Sequence, residues 1–302
     1  MEKLFYHKPV LVEEVLHYLD PKPGKTYLDV TFGSGGHTRA ILEKEPKCNV
    51  IAMDWDKISL DKYGSKLVEE FPKRLRLVWG NFSLLYKILK KEKIESVDGI
   101  LADFGTSQMQ ITERSGFSVY KDTDLDMRMS PAHQKMTAAK VLQDSSEEKL
   151  RELFWQLGEE RYSKQIAKAI VTERKKKKIT KTKQLADLIE KVVPKNRERR
   201  QKIHPATRVF QALRIYVNKE LDNILSFLWA ACKVINPSGR LVCISFHSLE
   251  DRMVKNFFKE KADEGILEIL TKKVVIAGGE ELKANPSARS AKLRAAELVI
   301  PN

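Results

Sequence analysis

Between Thr26 and Asp103, four short runs of β-branched and aliphatic residues (26–31, 49–54, 74–79 and 97–103) alternate with helical patterns beginning near Thr38, Lys57 and Ser83. Such alternation builds parallel strands joined by crossover helices, because parallel neighbours cannot be linked by a hairpin. The sequence therefore predicts an α/β fold with an open, Rossmann-like sheet. Three of the four runs end on or near an acid, Asp29, Asp54 and Asp103. Open α/β sheets bind ligands beyond the carboxyl ends of their strands, so one cleft is expected to gather all three.

After Asp103 the rhythm breaks. The next convincing strand, residues 240–246, starts 137 residues later, far more than a crossover needs. Most of residues 146–191 read as helix, with apolar positions Leu150, Leu153, Phe154, Leu157, then Ile166 and Ile170, then Leu185, Leu188, Ile189 and Val192. Phe210, Leu213, Val217, Leu221, Ile224 and Leu228 form one stripe at intervals of three or four, which predicts a single long helix ended by Asn236-Pro237-Ser238-Gly239. The expected partition is a discontinuous domain of residues 1–111 and 213–302, interrupted by an all-helical domain of residues 112–212.

Charge singles out the insert. The chain carries a net +14, and residues 161–214 alone hold 18 basic against 4 acidic side chains, the same surplus. A field concentrated in one segment attracts a polyanion, so the quartet Lys175, Lys176, Lys177 and Lys178, with Arg197, Arg199 and Arg200, points to nucleic acid. No apolar run approaches the roughly 18 to 20 residues needed to cross a bilayer, which excludes a spanning helix. The first residues lack an apolar stretch of signal-peptide length, so a cytoplasmic protein is expected. Cys48, Cys232 and Cys243 share no pairing or zinc spacing and read as small buried hydrophobes; His7, His37 and His204 lack metal spacing.

The chemistry concentrates in Tyr27-Leu28-Asp29-Val30-Thr31-Phe32-Gly33-Ser34-Gly35-Gly36-His37-Thr38, a strand, a glycine-rich turn and a helix start with Thr38 in a capping position. The glycines allow close approach of backbone to ligand. A dinucleotide fingerprint reads G-x-G-x-x-G; here the loop is G-x-G-G and position 38 is threonine. A nucleoside without a pyrophosphate, such as S-adenosylmethionine, suits that loop better. Asp54, closing the second strand, is placed to accept both ribose hydroxyls; capping the helix at Lys57 is its other reading, with Asp56 competing. Phe82, after Gly80-Asn81, either covers an adenine face or belongs to the core.

These residues sit within a longer resemblance. His7-Lys8-Pro9-Val10-Leu11, Thr31-Phe32-Gly33-Ser34-Gly35-Gly36-His37, Asp98-Gly99-Ile100-Leu101-Ala102-Asp103, Leu125-Asp126-Met127-Arg128-Met129, Phe210-Gln211-Ala212-Leu213-Arg214 and Ser245-Phe246-His247-Ser248-Leu249-Glu250 are similar, in order, to the bacterial small-subunit (16S) ribosomal RNA cytosine-N4 methyltransferase family, RsmH or MraW. The resemblance implies a class I methyltransferase sheet. It also implies transfer of a methyl group from S-adenosylmethionine to the exocyclic N4 of a cytosine in the decoding region, with ribosomal RNA or the small subunit as partner. It places the methyl donor against Gly35, Gly36, His37, Asp54, Phe82, Asp103 and Gln110. The chain departs from the family at Thr106-Ser107-Gln108-Met109-Gln110, where V-S-S-P-Q is common, and at Asp124, where a proline usually stands.

A cytosine amine is a poor nucleophile because its lone pair is delocalised into the ring. An acceptor for its N–H would localise that pair, and Asp103 is the candidate for this electrostatic part. Phe104, Phe117 and Tyr120 are candidates to support the unstacked base, each equally readable as core. His247 is expected to pack under the cleft, hydrogen-bonded by Ser248 or Asp251, rather than to act in catalysis. Three rivals stay open: a nicotinamide oxidoreductase, a non-catalytic RNA-binding assembly factor, and a methyltransferase acting on another RNA base. The residues do not choose between monomer and homodimer, or between free RNA and assembled subunit.

Overall fold

The fold is set by strands buried on both faces. The computed structural model describes residues 8–105, 115–131, 134–194 and 204–299. In chain order α1 (Val12–Leu19), β1 (Thr26–Asp29), α2 (Gly36–Lys44) and β2 (Asn49–Asp54) come first. Next are α3 (Lys57–Ser59), a π-helical turn (Leu60–Gly64), α4 (Ser65–Glu70), β3 (Leu75–Trp79), α5 (Leu85–Lys91) and β4 (Val97–Asp103). The chain returns to the sheet through α11 (Glu220–Val234), β5 (Ile235–Ser245), α12 (Ser248–Asp263), β6 (Leu267–Ile269), α13 (Gly279–Ala284) and β7 (Lys292–Leu298). Strand order is β3-β2-β1-β4-β5-β7-β6, with β1 to β5 parallel and β7 antiparallel to both of its neighbours. This is the α/β, Rossmann-like sheet that the strand rhythm predicts.

Successive strand residues enter opposite layers, as the two-residue period requires. Leu28, Ile51, Met53, Ile100, Leu241 and Cys243 pack in one core, while Tyr27, Val50, Ala52, Leu101, Val242 and Ile244 pack in the other. Cys48 and Cys243 are buried and Cys232 is partly so; burial pushes the Cys232 thiol up to about 11, and that of Cys243 further.

The chain divides into two compact units, Met1–Gly105 with Leu221–Asn302, and Thr106–Glu220. The second holds α6 (Ala138–Asp144), α7 (Glu147–Gly158), α8 (Ser163–Arg174), α9 (Thr182–Val192) and α10 (Thr207–Asn218) around a core of its own, with Phe154 and Leu213 fully buried. Ser146 and Thr137 cap α7 and α6, accepting the N–H groups of Lys149 and Lys140.

Two expectations are corrected. The stripe from Phe210 to Leu228 is not one helix, because Lys219 adopts the left-handed conformation (φ 51°) and closes α10. Asn218 just before it is 1% exposed and serves the 127–129 segment, donating to the Met127 carbonyl and accepting the Met129 N–H. A stripe of apolar positions survives one such residue, which is why spacing alone conceals the break. Asn236-Pro237-Ser238-Gly239 does not end the helix either. α11 stops at Val234 and the four residues bulge from β5, whose register with β4 jumps from Val97↔Ile235 to Gly99↔Arg240.

α7 and α10 approach closely at Gly158, where an added Cβ would lie 2.6 Å from the Arg208 carbonyl oxygen. We expect Gly158→Ala to lower stability by about 1–3 kcal/mol, read from urea unfolding, since backbone rather than a flexible side chain must move.

Candidate active site

Register decides which acids reach a ligand. Asp29 pairs with Ala52 on one side and Leu101 on the other, so Asp54 and Asp103 stand two residues further along the same face. Asp29 is accordingly 1% exposed and lies beneath the cleft rather than in it, a correction to the expectation of three gathered acids. Its Oδ1 accepts the Thr31 N–H (3.1 Å) and its Oδ2 the Thr38 hydroxyl (2.7 Å). Burial raises its pKa, and those bonds together with nearby His37 pull it back. Thr38 is thus an anchor, not the helix cap. The α2 helix starts at Gly36, behind Gly35 at φ 82°.

The glycines are required by packing as much as by any ligand. A Cβ on Gly35 would meet the Phe32 ring at 2.8 Å, and one on Gly36 the Pro9 ring at 2.8 Å. At Gly33 (φ +55°) the nearest atom would be 3.8 Å away, so there the backbone torsion sets the demand.

Asp54 does not cap the following helix; Asp56 does, accepting the Ile58 N–H at 3.1 Å. The Asp54 Oδ2 accepts the Gly33 N–H and its Oδ1 the Asp56 N–H, both at 2.7 Å. A carboxylate offers about four acceptor positions, so two remain, the number a ribose diol needs. Desolvation dominates over these bonds and pushes Asp54 up to about 6. Beside it in the sheet stands Trp79, whose indole N–H donates to the Trp55 carbonyl (3.1 Å) and whose side chain is 52% exposed. Sequence reasoning passed over this pair; an indole closing a strand at the ligand end was the available signal.

His37 is buried, with 7% exposed, and neither ring nitrogen has a hydrogen-bond partner among the described residues. Its Nε2 lies 3.5 Å from the Asp103 Oδ2. The Asp103 Oδ1 accepts the Gly105 N–H (2.9 Å) and its own N–H donates to the Thr31 hydroxyl (2.7 Å). Phe82 is partly buried against Phe104 and Phe227, centroids 5.9 and 5.7 Å away, so it packs on the core while keeping some surface. Gln110, and with it the stretch 106–110, lies outside the described residues. His247 begins α12 with Nδ1 accepting the Glu250 N–H (3.4 Å) and Nε2 3.1 Å from the Glu250 carboxylate. Glu250 thus engages the ring through its backbone N–H, while Nε2 lies beside its carboxylate without a hydrogen bond among the described residues.

A cleft of about 390 Å³ opens beside the same loop, lined in part by Pro9, Ser34, Gly35, Gly36, Arg39 and Lys66, without Asp54, Phe82 or Asp103. Its Arg39 is held by Glu70 through two bonds of 2.6 and 2.7 Å. Satisfied ion pairs there and an unsatisfied imidazole at His37 make the strand ends, not this cleft, the better ligand site. The donor set fits S-adenosylmethionine: an acid with spare acceptors at Asp54, open polar nitrogens at His37 and a second carboxylate at Asp103.

Comparison with known proteins gives one family. Residues 4–299 match the MraW methylase family. The chain is 45% identical to ribosomal RNA small subunit methyltransferase H of Bradyrhizobium diazoefficiens, covering 96% of this chain and 91% of that one. It is 42% identical to the protein of the same name from Ehrlichia chaffeensis, covering 96% and 98%. Among solved structures, an rRNA methylase from Streptococcus thermophilus aligns with a TM-score of 0.42 at 9% identity, over 96% of this chain and 94% of that one.

The raised pKa of Asp54 fixes a sign. The folded protein holds this proton more tightly than the unfolded chain. The group therefore favours folding fully below its ordinary 3.8, and that contribution fades as pH rises through about 6. Asp54→Asn cannot titrate. Wild type should lose about 1–2 kcal/mol relative to this variant between about pH 4 and pH 7 in urea titrations, and a difference that does not change with pH would contradict the assignment.

Proposed function

The chain belongs to the MraW methylase family, and we propose that the carboxyl ends of β1, β2 and β4 are where it carries out the reaction for which its relatives are named. It is an S-adenosylmethionine-dependent ribosomal RNA methyltransferase, and the acceptor is the exocyclic N4 of a cytosine in the decoding region of the 16S RNA. The observation that carries this siting is His37, an imidazole more than nine-tenths buried with both nitrogens unpartnered, next to a carboxylate at the strand ends.

When bound, S-adenosylmethionine supplies an electrophilic methyl group on a sulfonium. The chain's residues orient and hold. Asp54 takes the ribose hydroxyls on its two spare acceptor positions. Gly35 and Gly36 bring the start of α2 beside the ligand, His37 donates or accepts from its unpaired nitrogens, and Phe82 contributes the part of its surface that the core leaves open. Gln110 joins them by its match to the family pattern. Asp103 places negative charge where the sulfonium binds and where positive charge grows on the cytosine amine. Aligning donor and acceptor within ~3 to 3.5 Å supplies much of the acceleration. No strong base is needed, because the product amine loses its extra proton readily to water.

The helical unit grips the RNA. Lys175, Lys176, Lys177 and Lys178 are all exposed at the end of α8, where an RNA backbone can reach them. We assign the methyl transfer to residues 1–111 and 213–302 and the RNA grip to residues 112–212, with the small ribosomal subunit as partner. No helix among the described residues is long and apolar enough to cross a membrane, and we place the enzyme in the cytoplasm.

Labelled methyl incorporation into ribosomal RNA, followed by nucleoside mass spectrometry, tests the reading. N4-methylcytidine is expected; RNA binding with no incorporation would favour a non-catalytic assembly factor, and a different methylated base would move the acceptor. Asp54→Ala should weaken methyl-donor binding by tenfold or more, roughly the loss of two hydrogen bonds to a charged group. Replacing the lysine quartet by glutamine should weaken RNA binding and flatten its dependence on log salt by about 0.7 to 0.9 for each phosphate that is no longer neutralised.

A further inference from the structure

Tyr120 is 80% exposed, the highest value among the exposed large hydrophobic side chains described. An exposed tyrosine on its own is ordinary. This one is held still. Its N–H and that of Lys121 both donate to the Ser118 hydroxyl, at 3.2 and 3.3 Å. The Thr182 hydroxyl donates to the Lys121 carbonyl (2.5 Å) and accepts the Thr123 N–H (2.9 Å), and Thr182 is fully buried. Leu125 N–H donates to the Thr180 carbonyl at 2.8 Å, so residues 123–125 run beside 180–182. On its other side the Tyr120 ring meets the His204 imidazole edge to face, centroids 5.5 Å apart at 83°. His204 is pinned in turn: its Nδ1 accepts the Ala206 N–H (3.1 Å), which leaves the proton on Nε2, 2.7 Å from the Glu190 carboxylate.

The surroundings are basic. The pairing of 123–125 with 180–182 sets the Tyr120 loop against the segment that follows Lys175, Lys176, Lys177 and Lys178, all exposed, as are Lys181 and Lys183. The acids on these segments are Asp122, Asp124, Asp126, Glu173, Asp187 and Glu190; Asp124 is paired with Lys181 at 2.9 Å, Asp126 with Arg128 at 2.7 Å and Glu190 with His204 at 2.7 Å. A rigid aromatic face beside a row of cations is the arrangement that binds single-stranded nucleic acid, the cations following the phosphates and the ring stacking a base. We propose that Tyr120 is a stacking platform for an unpaired base of the RNA, built into the helical unit beside its lysine quartet. The proposal rests on ribosomal RNA being the substrate.

Stacking and phosphate contact differ in their response to salt, and that difference makes the test. Binding of the full-length protein to a fluorescein-labelled single-stranded oligoribonucleotide from the 16S decoding region, and to the same sequence as a duplex, would be followed by anisotropy across a salt series. Tyr120→Ala should weaken single-strand binding roughly five- to a hundredfold with the salt slope unchanged, and Tyr120→Phe should restore it to within about twofold. Duplex binding should not change. Circular dichroism should stay native, because so exposed a ring contributes little to the core. Wild-type affinity in the alanine variant, an equal loss on the duplex, or a loss that travels with a shallower salt slope would overturn the platform. A fall in kcat at saturating RNA with Kd unchanged would also overturn it, moving the ring to the target base. Ring-dependent RNA binding by a protein that incorporates no methyl group would sink the methyltransferase reading and leave the platform standing, whereas ring-independent binding with methylation intact would do the reverse.

Discussion

A buried carboxylate holds the glycine loop in place. Asp29 has almost no contact with water, yet its two oxygens accept from Thr31 and Thr38 on either side of the turn. A hydrogen bond is worth about 0.5–1.5 kcal/mol net, and removing its partner leaves a buried polar atom whose desolvation is uncompensated. From this clamp the next layer follows. Thr31 accepts the N–H of Asp103, and Asp54 accepts the N–H of Gly33, so the ends of β1, β2 and β4 are tied to one loop. α2 has no side-chain cap, and the orientation of its first turn comes from these ties.

Order at the loop is what gives His37 its character. Its neighbours have satisfied one another, and the imidazole is left with two open nitrogens in a buried position. A ligand that completes those contacts meets a site with little left to reorganise, the condition under which electrostatic catalysis is most effective. The helical unit works by different physics. Its apolar side chains close a separate core, which leaves Lys175, Lys176, Lys177 and Lys178 facing solvent.

Strand rhythm, buried on two faces, made the sheet legible: β2 and β4 occupy the residues their β-branched runs mark out, and β1 and β3 differ only at their ends. Asp54 and Asp103 were legible as strand-end acids because each closes a parallel strand. Asp29 looked equivalent, since nothing in a linear pattern states that it sits two residues deeper. Likewise Thr38 resembled a cap, whereas its hydroxyl answers a carboxylate nine residues earlier. Lys219 escaped because a left-handed residue leaves the apolar period intact. His247 was foreseen as structural, but its partner was not, since an N-cap and the third helical residue meet only once the helix has formed.

The sequence by itself determined the α/β class, the interruption of the sheet, the concentration of charge in the insert and the family to which the chain is similar. All of these are properties of period, composition and order, which need no coordinates. Tertiary structure alone decided which acid is a buried clamp and which stand at the strand ends, that Gly35 and Gly36 make room for Phe32 and Pro9, and that the His37 nitrogens find no hydrogen bond among the described residues. Those outcomes depend on register between strands and on atoms brought together from distant positions, and hydrogen-bond satisfaction is defined only after the chain has closed on itself.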